Sequence, residues 1–263
     1  NRSLRYVTDW LKEADSISGL IPENLYKGRD VWNGHNSAAD NYPFMVLTSY
    51  ILDDSLYYGK MLEILNTEKR ITSKLGTLPS PYSFSKQDFV NEKIDTAKII
   101  FGASEYIKDG LLPITEYIGE SPWSKRMIEM LNDLSKYITV SENLSGEYFG
   151  NSVDTEVNGE LLQVLSRLYW MTKNDMYLTW AIDIGDYYLI KHPEILNKAT
   201  RLRLRDHGCE IIGGLSELYV TLHFVDNEKK DSYKANLYKV LNRILEIGIN
   251  QDGMFYTEVN MRS

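Results

Sequence analysis

Apolar residues recur three or four positions apart along most of the chain, which is the spacing of an amphipathic helix. Leu4, Val7 and Leu11 are the first to show it. The same spacing predicts helices over residues 3–15, 40–52, 55–66, 93–108, 121–138, 156–172, 175–191, 206–225 and 229–250. The predicted fold class is therefore all-α.

Short turns alternate with long connections between these helices. Asp53-Asp54, Lys173-Asn174 and Asp226-Asn227 are tight polar turns, which imply antiparallel neighbouring helices. Four longer segments, rich in Gly, Pro, Ser and Asn, separate the resulting pairs and cover residues 17–39, 68–92, 139–155 and 192–205. A helical hairpin of roughly 50–60 residues therefore repeats along the chain.

Two architectures suit repeated helical hairpins, an open α-solenoid and a closed α/α toroid. The long, dissimilar connections favour the toroid, and the small residues in Ile211–Leu215 suit an inner helix that is packed on both sides. We predict one toroid domain over residues 1–263. A ring of six such hairpins needs more residues, so the toroid is predicted to be incomplete, with about four or five hairpins. Asp252-Gly253 is interpreted as leading into a further inner helix beyond a truncated C-terminus.

The amino-acid composition disfavours or excludes several classes of function. A net charge of −8 and a pI near 5.1 disfavour binding to nucleic acid. The sequence has no apolar stretch long enough for a membrane span. The one cysteine excludes a disulfide framework and a cysteine-rich zinc site. Scarce cysteine suits either the cytoplasm or an exported bacterial protein. Residue 1 is Asn rather than Met, as after removal of a signal peptide, and a periplasmic or secreted location is favoured over the cytoplasm.

The connection that contains residues 28–45 is the richest in functional groups. Its Trp and Tyr rings offer flat faces for sugars, and its Asn, His and Asp side chains offer hydrogen bonds to hydroxyl groups. The candidate substrate-binding residues here are Asp30, Trp32, His35, Asn36 and Tyr42, and Asp40 is a candidate catalytic residue. The alternative is that Asp40 only caps the helix that starts at Pro43.

One short element of this connection resembles a known family. Ser37-Ala38-Ala39-Asp40-Asn41-Tyr42-Pro43 is similar to the Ser-Gly-x-Asp-[Asp/Asn]-[Tyr/Ser]-Pro element of α/α-toroid, or six-hairpin, glycosidases, notably those of the processing α-glucosidase type. Ala38 replaces the glycine, and Phe44 stands where an arginine often follows the proline. The resemblance implies that Asp40 is the general acid of a glycosidase.

Two further clusters carry carboxylates. Asp206 and Glu210 are four residues apart, so on a helix they would share a face, with His207 beside them. Glu156 and Glu160 have the same spacing, which suits sugar binding or acid catalysis if they are buried. The alternative for both clusters is a polar helix start. No second set of His or Cys stands at ligand spacing, so we expect no metal and no other cofactor.

These observations predict a carbohydrate-active enzyme, a glycoside hydrolase that cleaves an oligosaccharide or polysaccharide. In a toroid the helix starts near Asp40, Glu156 and Asp206 would line one funnel. Asp40 is the predicted acid, and the base is Glu210, Asp206 or a residue beyond Ser263. A non-catalytic helical module that binds carbohydrate or another partner is one alternative. The other is a toroid of the polysaccharide-lyase kind, which would need Asn or Arg to neutralise a uronate, and arginine is sparse in the candidate connections.

Overall fold

The computed structural model describes residues 2–137 and 152–262, except the side chains of residues 152–154 and His207. Most of these residues are helical, which confirms the all-α prediction. Most of the predicted connection 139–155 lies outside the described residues. The chain divides into two compact units, unit 1 (Asn1–Thr139) and unit 2 (Val140–Ser263). One toroid domain over both units stays a prediction. Among the described helices, none is long and apolar enough to cross a membrane.

Unit 1 is built from helices joined by short antiparallel strands. The helices are α1 (Arg2–Lys12), α2 (Tyr42–Leu52), α3 (Leu62–Thr72), α4 (Thr96–Glu105), α5 (Leu112–Ile118) and α6 (Pro122–Leu134). The strands are β1 (Val31–Trp32), β2 (Ser73–Leu75), β3 (Leu78–Pro79), β4 (Tyr82–Ser83) and β5 (Asp88–Phe89). They form a three-stranded sheet in the order β1-β4-β5 and a separate β2-β3 hairpin. The strands lie within the two long connections predicted in this half of the chain.

Three turns of π-helix extend the α-helices of unit 1. Residues Gly34–Asn41 lead into α2, Leu56–Met61 lead into α3, and Tyr106–Leu111 join α4 to α5. The helix predicted to end at residue 108 therefore continues to Ile118. A Cβ on Gly34 would lie 2.4 Å from the carbonyl oxygen of Gly102, so glycine allows the first π-helical turn to lie directly against α4.

A buried ion pair joins α3 to α6 in unit 1. The guanidinium of Arg126 donates from Nε to Oε2 of Glu68 at 3.1 Å and from Nη2 to Oε1, and both side chains are almost fully buried. Arg126 also donates from Nη1 to the carbonyl of Thr77 at 2.8 Å. Thr72 donates to Oε1 of Glu68 at 3.2 Å. Since each charge has a partner and further hydrogen bonds, the two can share a buried site.

Over residues 152–262, unit 2 has two helical hairpins and one pair of strands. Its helices are α7 (Ser152–Thr172), α8 (Asp175–Asp186), α9 (Glu194–Asn197), α10 (Glu210–Val225) and α11 (Asn227–Ile247). A π-helical turn (Tyr187–Lys191) extends α8, and a 3₁₀ turn (Asp206–Cys209) precedes α10. Strands β6 (Leu202–Arg203) and β7 (Glu258–Val259) pair antiparallel.

Side-chain caps explain the two tight turns of unit 2. The side chain of Asn174 accepts a hydrogen bond from the backbone N–H of Met176 at 3.0 Å and so caps α8. Asp226 accepts one from the backbone N–H of Lys229 at 2.9 Å and caps α11. The predicted turns at Lys173-Asn174 and Asp226-Asn227 are therefore confirmed.

The first helices of the two hairpins, α7 and α10, pack closely against each other. A Cβ on Gly214 would lie 2.3 Å from the carbonyl oxygen of Gly159, and a Cβ on Gly159 would lie 2.2 Å from the backbone of Glu210 and of Ile211. Only glycine allows two backbones to approach this closely. The small residues of the Ile211–Leu215 run thus serve the close helix packing that the sequence suggested.

The segment after Asp252-Gly253 does not lead into a helix within the described residues. Leu202 pairs with Val259, Arg203 pairs with Glu258, and Val259 is 7% exposed. Within the described residues this segment adds a strand to the extended segment that follows α9, and a further inner helix beyond Ser263 stays a prediction.

We predict that Arg126→Met lowers the free energy of unfolding by about 3–5 kcal/mol, because it leaves the buried Glu68 carboxylate without its counter-charge. The double variant Glu68→Leu, Arg126→Met should recover much of this loss, since neither charge remains. Urea unfolding followed by circular dichroism measures both. Arg5→Met, which removes an exposed cation, is the control. Equal stability of Arg126→Met and Arg5→Met would contradict the prediction.

We expect Gly159→Ala to destabilise unit 2 by roughly 1–3 kcal/mol or more, because its Cβ would press on the backbone of α10. Gly59→Ala is the matched control, since a Cβ at that helical position meets nothing within 4 Å. The control should be neutral or slightly stabilising. Thermal unfolding of the two variants tests the difference, and a tolerated Gly159→Ala would show that the helices can separate at little cost.

Candidate functional site

A pocket of about 430 Å³ lies in unit 2. It is bordered by the first described turns of α7, by α9, by β6 and by the 3₁₀ turn before α10. The residues that line it are Thr155, Glu156, Ile195, Leu196, Ala199, Arg201, Leu202, Arg203, Arg205 and Gly208. Its volume lies within the range of about 300–1,000 Å³ that is typical of small-molecule sites.

The two strands of unit 2 hold one wall of this pocket. The chain from Arg201 to Arg205 alternates arginine with leucine and runs extended beside β7. Leu202 is 4% exposed, and the backbone N–H of Leu204 donates to the carbonyl of Thr257 at 2.9 Å. Because alternate residues of an extended chain point to the same side, the three arginines can reach one pocket.

The arginines differ in their partners. Arg201 pairs with Glu258 at 2.6 Å, and Arg203 pairs with Asp206 at 3.2 Å. Among the side chains that the structure describes, no carboxylate forms an ion pair with Arg205, whose own side chain is exposed. A guanidinium has five N–H donors, and each of these ion pairs is formed by a single nitrogen, so the wall keeps hydrogen-bond donors for a ligand.

The turn that follows the arginines is shaped by two unusual backbone positions. Asp206 has a φ of +54°, in the left-handed region. A Cβ on Gly208 would lie 2.2 Å from the Cβ of Arg203, so only glycine fits at this point. Asp206 therefore lies before α10 rather than on it. The expected shared helix face of Asp206 and Glu210 is wrong, because the helix begins only at Glu210.

Glu156 is the carboxylate that lines the pocket. It lies on α7, is half-buried, and has a carboxylate oxygen within 4.8 Å of one of Glu160, which is fully buried. Glu210 is also half-buried and accepts a hydrogen bond from Nε2 of Gln163 on α7. The side chain of His207 lies outside the described residues, although its backbone is part of the 3₁₀ turn.

The aromatic candidates of unit 1 lie in the core. Trp32 is 0% exposed and Tyr42 is 3% exposed. The indole Nε1 of Trp32 donates to the hydroxyl of Tyr42 at 3.2 Å, and both rings meet Tyr106 edge to face. Burial, with the nearby charge of Glu68, raises the pKa of Tyr42. In this structure the two rings therefore pack within the protein and leave almost no surface for a sugar.

The polar candidates of unit 1 have different surroundings. The amide of Asn36 donates to Oε1 of Glu23 at 3.1 Å. His35 is half-buried, with its ring centroid 5.7 Å from that of Phe101.

Asp40 is exposed in the π-helical turn. The side chain of Asn33 accepts from two backbone N–H groups at the start of that turn. The alternative that Asp40 caps the helix is therefore wrong, since the helical run begins before it.

Asp30 holds a turn of the three-stranded sheet. Its carboxylate accepts hydrogen bonds from the hydroxyl of Ser83 at 2.7 Å and from the backbone N–H and hydroxyl of Ser85 at 2.8 and 2.9 Å. The hydrogen bond from Ser83 lowers the pKa of Asp30, and the bonds from Ser85 act in the same direction. These hydrogen bonds explain the position of the Asp30 carboxylate without any contact to a ligand.

The arginine wall, which Arg201, Arg203 and Arg205 form at the pocket, was not predicted from the sequence. Residues 192–205 are predicted only as a long connection between helical pairs, yet Arg201, Arg203 and Arg205 line one pocket. The available signal was their strict alternation with Leu202 and Leu204, which is the period of a half-buried strand.

We predict that Asp30→Asn lowers the melting temperature at neutral pH, because the amide cannot accept from both serines as the carboxylate does. The folded protein holds the pKa of Asp30 below its unfolded value of about 3.9, so this stabilisation is full above that value. It is lost as the pH falls through the lower folded pKa. Thermal unfolding of both proteins at neutral and acidic pH should show the difference shrinking in acid. Asp252→Asn, on an exposed turn, is the control, and a pH-independent difference would contradict the prediction.

The pocket of unit 2 thus combines a half-buried carboxylate, an arginine wall and several apolar side chains. None of these features alone identifies a reaction. Comparison of the chain with known protein families, with curated proteins and with solved structures finds no match.

Proposed function

We propose that the protein is a carbohydrate-active enzyme, a glycoside hydrolase whose oligosaccharide or polysaccharide substrate binds in the pocket of unit 2. The observation that carries the proposal is the position of Glu156 at a cavity with an apolar side and many N–H donors. A sugar ring has C–H faces that suit the half-buried side chains of Ile195 and Ala199, and hydroxyl groups that suit carboxylate and guanidinium partners.

Glu156 is the proposed general acid of this pocket. Two carboxylates with oxygens within 4.8 Å of each other are costly to ionise together, so the pair of Glu156 and Glu160 favours keeping one proton. Glu160 has no exposed surface, so Glu156 is the member of the pair that can reach a sugar. A protonated Glu156 could transfer its proton to the glycosidic oxygen as the bond breaks.

Three carboxylates predicted from the sequence remain candidates for the other roles. Glu210 and Asp206 are the candidates for the base that activates water, and Asp206 adjoins the pocket through its ion pair with Arg203. Asp40 is the competing candidate for the acid, on the resemblance of its sequence element to that of toroid glycosidases. An inverting enzyme would place acid and base about 6.5–9.5 Å apart.

The proposed architecture is an incomplete α/α toroid. Each unit contributes helices paired by tight turns, and in unit 2 the first helices of the two pairs pack directly against each other, as inner helices of a toroid do. The second helices, α8 and α11, are capped at the turns and carry more exposed residues on their outer faces. Their arrangement supports the toroid proposal within unit 2.

The arginine wall gives weight to a second candidate function, a polysaccharide lyase. Such an enzyme neutralises the carboxylate of a uronate before a base removes the neighbouring proton. Among the described lining residues, however, Tyr and His are absent and Glu156 is the one carboxylate. Hydrolysis is therefore the preferred reaction.

We predict that Glu156→Gln lowers kcat for glycan hydrolysis by about 100-fold or more, because the amide cannot donate a catalytic proton. Hydrolysis of a panel of neutral and acidic oligosaccharides, with products identified by mass, measures it. Asp40→Asn is assayed in parallel. The control is Glu246→Gln, which changes an exposed carboxylate on α11.

The two variants separate the two candidate acids. Loss of hydrolysis in Asp40→Asn alone would assign the acid to the sequence element and remove Glu156 from that role. Absence of hydrolysis of every glycan by the wild type would overturn the proposed function.

A further inference from the structure

We infer that the pocket of unit 2 recognises an acidic sugar, with the carboxylate of a hexuronate bound by Arg205 beside Arg201 and Arg203. This inference rests on the proposed function and names its substrate class. It starts from an unexpected local composition. The chain as a whole carries a charge of −8, yet of the ten described residues that line the pocket three are arginines and one is a carboxylate.

Two of the three arginines that line the pocket form ion pairs with carboxylates of the protein. Glu258 neutralises Arg201 and Asp206 neutralises Arg203. Among the side chains that the structure describes, no carboxylate forms an ion pair with Arg205, so its guanidinium keeps its set of donors for a ligand in the pocket that it lines. A guanidinium binds a carboxylate through two parallel hydrogen bonds, which a neutral hydroxyl cannot reproduce. Arg205 is therefore the residue expected to distinguish an acidic sugar from a neutral one.

The rest of the lining favours a uronate over a simple inorganic anion. Ile195 and Ala199, which are half-buried, give the pocket an apolar side that phosphate or sulfate would leave unused. Glu156 can form hydrogen bonds with the hydroxyl groups of a sugar. A hexuronate has one carboxylate, several hydroxyls and a C–H face, so it matches all three kinds of lining group.

Binding of defined probes tests the inference. Isothermal titration with trigalacturonate, with triglucuronate and with the neutral trimer galactotriose gives Kd for the wild type, Arg205→Gln and Arg243→Gln. We expect a hexuronate trimer to bind at least tenfold more tightly than galactotriose. Arg205→Gln should weaken uronate binding about tenfold or more and weaken galactotriose binding much less, since a hydroxyl loses a neutral hydrogen bond and no ion pair. Arg243→Gln, which changes an arginine on α11 paired with Glu246, should bind as the wild type does.

The outcomes separate this inference from the proposed hydrolase activity. Uronate binding that depends on Arg205 without hydrolysis supports the acidic ligand and overturns the hydrolase. The same binding with an unsaturated product, seen by its ultraviolet absorbance, also supports the ligand and assigns a lyase. Hydrolysis of neutral glycans that is unaffected in Arg205→Gln supports the hydrolase and overturns the acidic substrate.

Two results would overturn the inference outright. One is equal binding of uronate and neutral trimers. The other is displacement of bound trigalacturonate by inorganic phosphate at equal concentration, which would indicate a general anion site. Circular dichroism of Arg205→Gln confirms that any loss of binding is not a loss of fold, since this exposed side chain contributes little to packing.

Discussion

The ion pair between Glu68 and Arg126 is the constraint on which unit 1 depends. It joins α3 to α6, ties the β2-β3 hairpin through the carbonyl of Thr77, and has almost no access to water. A buried charge is tolerated only while its partner is in place, so the helices around it have little freedom to move apart. Tyr106 reaches the same carboxylate at 3.5 Å, and its ring meets those of Trp32 and Tyr42. The aromatic residues of the long connection are thereby committed to the core.

Unit 2 is organised by close backbone contact instead of charge. Gly159 and Gly214 allow α7 and α10 to meet directly, and a side chain at either position would separate them. The contact also fixes the direction of α7, whose first described turns border the pocket with Glu156. On the other side of the pocket, β7 holds the segment from Arg201 to Arg205 in an extended form. The candidate site is thus formed where a helix and an edge of a two-stranded sheet face the same cavity.

Helices were predictable from the sequence because their apolar period is local and repeats over many residues. The turns at Lys173-Asn174 and Asp226-Asn227 were predictable for the same reason, since a side-chain cap acts within a few residues. The candidate site was harder to predict from the sequence. Trp32 and Tyr42 have the chemistry of a sugar-binding surface, but burial is decided by contacts with Tyr106, far along the chain. The short alternation around Leu202 carried a strand signal that a mostly helical pattern concealed.

The sequence by itself determined the helical class, the hairpin rhythm and the main capped turns, because these follow from short-range spacing and hydrogen bonding. It also placed candidate carboxylates such as Glu156 and Glu210 on their helices. Only the tertiary structure decided which polar groups are used within the protein and which face a cavity. Asp30 is held by Ser83 and Ser85, whereas Arg205 lines a pocket. The physical reason is that burial and charge pairing depend on residues distant in sequence, and a local pattern does not encode them.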